Sequence, residues 1–327
     1  MRFLLTKLVC AWLRRRNLFV LHRLFASSVG EPLCMTPIVR EVHERFGWRV
    51  VVFSHHPAIF VGNPHVHRHV DVSRWSKRRL RWAKRLSRFV DGDRVENAAF
   101  PTTNGSLEEC VRRTGTMDLL PRLITRHFRF RPDFRYTNCE VYLAAEEADG
   151  YARELDLPPQ FGVIHSEGVT HYTPVKAWGV DRFQAVVDTM SEVTWVQVGL
   201  PGERLLNGCL DLRGRLTLRQ LAFVVRQARF LVCQEGVYNH MASAFGTPSF
   251  VVFSGFHPPS VASYANTIAI VREPQVPCSP CMLQQPCPIP GKPCTSDITP
   301  AMVVQRIRRE LAAGAALGAC PPAGVSP

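Results

Sequence analysis

The sequence predicts an α/β protein of two consecutive, doubly wound, Rossmann-like units, each built on a parallel sheet. Three observations predict it. Short apolar runs alternate with stretches of helical period along most of the 327 residues, the pattern of strand–helix–strand layers. That length suits two cores of roughly 150 residues better than one. A proline break at Leu157-Pro158-Pro159 then divides residues 1–158 from residues 159–315, with an Ala/Gly/Pro-rich tail at 316–327 expected to be loose.

The elements follow in order. Leu18 to Leu21 reads as a buried strand, followed by a loop over Phe25 to Leu33. Thr36-Pro37 reads as a helix start, a hydroxyl cap with proline at the first helical position. Ile38, Val42 and Phe46 form the buried stripe of that helix and Gly47 its stop. Trp48 to Phe53 is the next strand. In the second half the strands are Phe161 to Ile164, Val193 to Val198, Phe230 to Cys233 and Ser249 to Phe253. Asp181 and Thr217 are the expected caps of the intervening helices, and a further helix is expected around Tyr238 to Phe245. Open parallel sheets bind ligands at the carboxyl ends of their strands. Two such units facing each other would form one cleft, so the loops after the strands are where chemistry is sought.

Hydrophobic residues make up 46% of the chain and charged residues 20%, which fits a globular protein and excludes a disordered one. The net charge of +13 calls for an anionic partner: nucleic acid, an anionic membrane face or an acidic glycolipid. Four of the eleven cysteines crowd into residues 278–294 and the rest are single, which points to a reducing, cytoplasmic compartment rather than a disulfide scaffold. At the N-terminus Leu4, Leu5, Leu8, Val9, Trp12 and Leu13 share a helical face, with Arg14, Arg15 and Arg16 after it. The charge follows the apolar run, the reverse of a signal peptide. Two readings stand: a basic amphipathic helix lying on a membrane, or an extra helix packed on its domain.

Three loops carry the chemistry. After the first strand, Ser27, Ser28, Gly30 and Glu31 offer two hydroxyls, close backbone approach and a carboxylate. After the strand at 161–164 come His165, Ser166 and Glu167, then Lys176, a cation suited to a diphosphate leaving group. The third stretch holds Asp211-Leu212-Arg213-Gly214 and Glu235-Gly236-Val237-Tyr238-Asn239-His240. There a glycine before a helix admits an anion and Glu235 is placed to hold sugar hydroxyls.

In this order the pieces resemble the heptosyltransferase family of glycosyltransferases, from about residue 18 to 310 and most strongly in the last third. The opening loop looks like the family's "SSxGD…TP" segment, and EGVYNHMASAFGTPS like its donor-domain core. The resemblance implies a GT-B fold, an N-terminal acceptor-side domain and a C-terminal donor domain. It also implies inverting transfer of a sugar, ADP-heptose being the default donor, to a lipopolysaccharide-core type of glycan. Glu31 falls on the family's catalytic aspartate and Ser27 and Ser28 on its phosphate-proximal loop. Lys176 falls on the phosphate-binding lysine and Glu203 on an acidic position near the nucleotide. Glu235, Gly236 and His240 fall on the donor loop. Two departures stand out: Glu31 replaces Asp, and Glu235-Gly236 replaces Asp-Ser-Gly, which leaves the sugar open. No cofactor is required for catalysis if Lys176, amides near Ser166 and the helix after Gly236 stabilise the leaving group.

Cys278, Cys281, Cys287 and Cys294 have spacing compatible with a structural zinc or iron site in a proline-stiffened loop; four reduced, unliganded thiols are the alternative. Eight Lys/Arg residues between Arg74 and Arg88, with Trp75, Trp82, Leu86 and Phe89 on one helical face, either contact anionic lipid or phosphorylated sugars or pack their aromatic side inward. With the resemblance, which implies an acceptor at the cytoplasmic face, the expected location is cytoplasmic and peripheral at the inner face of the cytoplasmic membrane. A catalytically silent nucleotide- or glycan-binding protein is a rival reading. Nucleic-acid binding explains the charge and leaves the ordered cleft motifs unexplained.

Overall fold

The computed structural model describes residues 2–24, 28–90, 94–97, 135–167, 173–281, 283 and 285–313. The chain forms two compact units, residues 1–142 and 143–327.

In the first unit α1 (Arg2–Arg15), β1 (Leu18–His22), α2 (Gly30–Phe46), β2 (Arg49–Ser54), β3 (Val66–Asp71), α3 (Lys77–Val90) and β4 (Val95–Asn97) follow one another. The strands form a parallel sheet in the order β3-β2-β1-β4. Phe19 and Leu21 of β1, Val50 and Val52 of β2, and Leu33, Ile38 and Val42 of α2 are buried together in its core.

The helix expected to open at Thr36-Pro37 begins at Gly30 instead, so Pro37 lies inside it. Its ring deprives the Leu33 carbonyl of an amide partner. The Thr36 hydroxyl supplies the missing donor at 2.7 Å and in turn accepts from the Glu140 amide at 2.8 Å. A threonine read as a cap is thus the repair of a proline break. Gly47 ends the helix with φ +63°, its amide on the His43 carbonyl.

Helix α1 supports both readings of the N-terminus in part. Cys10 and Leu13 are buried, whereas Leu8 and Trp12 are 61% and 53% exposed. It packs against α3. Trp75 precedes α3 and meets the Phe53 ring edge-on, while Trp82 and Leu86 are more than half exposed. The aromatic side of α3 therefore does not pack inward as a whole.

The second unit runs α4 (Ala145–Leu155), β5 (Gly162–Ile164), α5 (Val180–Thr189), β6 (Trp195–Gln197), β7 (Cys209–Asp211), α6 (Leu218–Gln227), β8 (Phe230–Gln234), α7 (Val237–Ser243), β9 (Ser249–Val252), α8 (Pro259–Ala262), β10 (Thr267–Ile270), α9 (Pro293–Ser296) and α10 (Pro300–Ala312). Its six parallel strands are ordered β10-β9-β8-β5-β6-β7. The core joins Trp195, Phe230 and Phe250 from three strands to Phe183, Val186, Val303 and Ile307 from α5 and α10. Thr217 caps α6 through a reciprocal capping box with Gln220, as its sequence position predicts. Asp181 lies in the first turn of α5 rather than at its cap, which is Gly179.

The units divide between Tyr142 and Leu143, upstream of the proline break read from the sequence. The cause is α4, which packs on α6: the rings of Tyr151 and Phe223 are 5.9 Å apart, Gln220 donates to Glu154 at 2.8 Å, and Arg219 pairs with Glu147.

Candidate functional site

In both sheets the first strand of the unit sits between the second and the fourth, so strand order reverses there. Ligands of open α/β sheets bind at such switch points. In the first unit the point lies at the carboxyl ends of β1 and β4, and in the second at those of β5 and β8.

At the end of β1, Arg23 closes a two-bonded fork on Glu31, Nε to Oε2 at 2.7 Å and Nη2 to Oε1 at 2.8 Å. Ser28 Oγ donates to the same Oε2 at 3.0 Å. Gly30 is the first residue of α2 and Glu31 lies in its first turn, where a carboxylate is favoured by the helix dipole. Ser27 lies outside the described residues. Arg23 was missed in the sequence, although it directly follows the strand.

At the second switch point Lys176, at the end of a 3-10 turn after β5, pairs with Oε2 of Glu235, the first residue after β8. Both side chains are largely buried, and Lys176 also lies 4.8 Å from the centre of the Phe256 ring. His257, after β9, brings Nδ1 to 3.6 Å from the same Glu235 oxygen. Burial alone would raise the Glu235 carboxyl, but Lys176 and His257 outweigh it and hold the group well below the usual carboxylate range. Burial, and then Lys176, push His257 down, while Glu235 opposes them.

The remaining expected residues of the second unit have partners of their own. Ser166 is buried and accepts from Gln197 Nε2 at 3.3 Å. Glu203 Oε2 is 3.5 Å from His165 Nε2, and the His165 ring lies 3.9 Å from that of Tyr238. Arg213 bonds to the Glu203 carbonyl and grips Asp211 through two nitrogens at 2.7 and 2.8 Å. That grip takes the Asp211 carboxyl down to about 2. A side chain on Gly236 would meet nothing nearer than 4.0 Å, so its bareness leaves room there. His240 is buried with Nδ1 2.7 Å from the Tyr264 hydroxyl, and burial pushes it down to about 4. It is a neutral, packed histidine.

The four clustered cysteines stand apart from these groups. The Cys281 thiol is pushed up by burial and by Cys294, Cys278 and Cys287 around it, so the four share one locale. Among the described residues no three of these sulfurs lie within 4.8 Å of one another. Their loop reaches the segments around Lys176 and Gly255 through backbone: Cys281 N–H donates to the Gly255 carbonyl at 2.8 Å, Thr173 to the Leu283 carbonyl, and Lys292 to the Ala177 carbonyl. Among the described residues no helix is long and apolar enough to cross a membrane.

Comparison with known proteins places this geometry. Residues 142–290 match the model of glycosyltransferase family 9 (heptosyltransferase). No curated sequence matches the chain. Among solved structures, the ADP-heptose LPS heptosyltransferase II of E. coli is similar over 91% of this chain and 99% of its own, with 13% identity and a TM-score of 0.61. The iron-containing heptosyltransferase TibC of E. coli, in complex with ADP-D-beta-D-heptose, matches 90% of this chain and 76% of its own at 13% identity and a TM-score of 0.65. A family 9 glycosyltransferase of Veillonella parvula matches 77% of this chain and 85% of its own at 13% identity and a TM-score of 0.58. The two-unit α/β architecture is thus that of GT-B glycosyltransferases. Residues 142–290, the core of the second unit, thus match glycosyltransferase family 9, and the chain is a glycosyltransferase.

Proposed function

We propose that the chain moves a sugar, with inversion, from a nucleotide diphosphate donor to a membrane-associated glycan, with ADP-heptose as donor and a lipopolysaccharide-core type of acceptor. The observation that carries this is the buried Lys176–Glu235 pair at the β5/β8 switch point, inside the segment that matches family 9. In this reading Lys176 neutralises the departing diphosphate, a contact that strengthens as charge develops there. Glu235 receives sugar hydroxyls, the backbone near Ser166 and Gly236 lines the phosphates, and Glu203 belongs to the nucleotide side. An acceptor hydroxyl attacks the anomeric carbon, the bond to the diphosphate oxygen breaks, and the hydroxyl proton passes to Glu31. Arg23 and Ser28 engage both Glu31 oxygens, and the second lone pair of Oε1, which accepts from Arg23 alone, is the place for the proton. No cofactor takes part in these steps.

The Cys278, Cys281, Cys287 and Cys294 set has the thiolate chemistry that zinc or iron takes, and TibC is an iron-containing relative in fold. A structural ion there would draw the four sulfurs together and clip the loop, with no part in the chemistry.

The protein acts at the inner face of the cytoplasmic membrane, through α1 and α3. These adjacent helices carry no acidic residue. They expose Leu8, Trp12, Trp82 and Leu86, with Arg16 and Arg85 over the two indoles, the mix of apolar side chains and cations that holds a helix on anionic lipid. Co-flotation with vesicles containing phosphatidylglycerol, and not with pure phosphatidylcholine, is the expected result; equal behaviour with both removes this part.

A thermal-shift series of nucleoside diphosphates and nucleotide sugars tests the whole. A donor at 100 times its Kd adds about 2.7 kcal/mol. Stabilisation by ADP-sugars supports the reading, another nucleotide changes the donor, and no response from any nucleotide rejects it.

A further inference from the structure

A glutamate turns about several side-chain bonds, so a base on that side chain is aimed only if something holds it. Glu31 is held from the end of β1. Arg23 Nε reaches Oε2 at 2.7 Å and Nη2 reaches Oε1 at 2.8 Å. Ser28 Oγ donates to Oε2 at 3.0 Å. A carboxylate offers about four lone-pair sites. The two arms of the fork take one on each oxygen, and Ser28 takes the second on Oε2. The second site on Oε1 is left for a proton.

Arg23 is itself fixed. It directly follows β1, and its amide donates to the Phe53 carbonyl of β2 at 2.9 Å, which carries the β1–β2 pairing one residue past the strand. Its side chain is largely buried and bridges the sheet end to the first turn of α2, where Glu31 sits. A long arginine anchored at both ends becomes a rigid arm, and its planar head sets the plane of the carboxylate that it meets. The aim of Glu31 then follows from the sheet rather than from its own torsions.

We propose that Arg23 is the positioning residue of the general base: its fork fixes the Glu31 carboxylate so that the acceptor's proton is received at Oε1. The inference rests on the reading of Glu31 as base and adds the residue that aims it. As the acceptor oxygen bonds to the anomeric carbon and the bond to the diphosphate oxygen breaks, the hydroxyl proton passes to Oε1 and the fork stays closed. Arg23 touches none of the reacting atoms. Its charge alone does not do this work, because a lysine makes a point contact and leaves the plane of the carboxylate free.

Steady-state release of ADP from ADP-heptose, with heptose-deficient lipopolysaccharide as acceptor, tests it. Arg23→Lys keeps the charge and loses the fork. Its kcat falls about 10²-fold, the effect of a misplaced reacting group, while the KM values of donor and acceptor change less than about two-fold. Arg23→Ala falls at least as far, and added guanidinium, but not ammonium, restores part of its rate. An arginine that only supports the fold would show no such choice between two cations. Arg23→Lys serves alone if the alanine variant does not fold. Near wild-type kcat in Arg23→Lys, absent or equal rescue by the two cations, or a rise in acceptor KM at unchanged kcat overturns the proposal and leaves the base in place. Full turnover by Glu31→Gln, or wild-type protein that releases no ADP from this pair, overturns the reading on which it rests as well.

Discussion

The two switch points carry the same elements, a carboxylate and a cation after a parallel strand, in opposite arrangements. Arg23 holds Glu31 by both oxygens in a planar fork, with Ser28 as a third donor. Lys176 holds Glu235 as a point charge, sharing one oxygen with His257. A fork fixes the plane of a carboxylate, whereas a point charge neutralises it without fixing that plane. The first suits a group that has to be aimed before it takes a proton. The second suits a group that binds a ligand while its charge is balanced from behind.

The largest effect expected from this contrast is catalytic. Glu31→Gln should lower kcat by about 10²–10⁴-fold, the usual contribution of a general base, with ADP-heptose affinity unchanged. Near wild-type turnover in steady-state assays would remove Glu31 as base and with it the functional side of the contrast.

Next comes stability. Lys176→Met strips the cation from a buried carboxylate and should cost about 3–5 kcal/mol in urea unfolding. The double variant Lys176→Met/Glu235→Gln should recover most of that, since the uncompensated charge is gone. Arg23→Met leaves behind a carboxylate that is more exposed than Glu235 and should cost less. If it costs more, the fork rather than the point charge is the structural anchor.

A pH series sharpens the comparison further. The depressed Glu235 carboxyl contributes stability that is fully present above the unfolded value of about 4.3 and is lost as pH falls through the lower folded value. Histidines add an earlier loss. His65 in the first unit and His240 in the second both sit at about 4, chiefly through burial. The unfolded chain therefore takes up protons first, and stability falls as pH drops from about 6.5 to about 4. Each contributes up to about 1.4 kcal/mol per pH unit. His240→Gln should flatten the dependence of Tm on pH between 7 and 5; an unchanged slope would mean that this histidine does not titrate on unfolding.

The smallest effect compares two glycines of nearly equal backbone. Gly47 and Gly214 have φ of +63° and +64°. A methyl on Gly47 meets nothing within 4 Å, whereas on Gly214 it lies 2.8 Å from Pro201 Cβ. Gly47→Ala should cost about 1 kcal/mol from strain alone, and Gly214→Ala about twice that. Equal shifts in Tm would show that the Pro201 loop yields.

Much of this was legible in the sequence because it is local. The period of apolar residues marked β1, β2, β5, β6, β8 and β9, and Thr217 announced its own helix. Glu235 and Lys176 stood out because each is a charged residue in a loop after a strand and falls on a charged position of the resembling family's motifs. What was not legible depends on distant partners. Thr36 looks like a cap until Pro37 is seen to lie inside the helix. The aromatic stripe of 75–89 looks like one face until Trp75 is placed outside α3. Strands β4, β7 and β10 are too short, and β3, with its sequence VHRHVD, too polar, to announce themselves as apolar runs. Arg23 and His257 carry no motif, and only their position just after a strand end could have found them.

The loop of 278–294 is bonded at one end to Gly255 and at others to Thr173 and Ala177. A single loop thereby acts as a spacer between the two segments that deliver His257 and Lys176 to one carboxylate. Damage to it is felt at a distance. We expect alkylation of the exposed Cys278 to weaken nucleotide-sugar binding, read by titrating the modified protein, although its sulfur is no part of the donor cluster. A thiol-sensitive enzyme of this kind would pass for one with a cysteine nucleophile, when what has failed is the distance between two groups that hold a third.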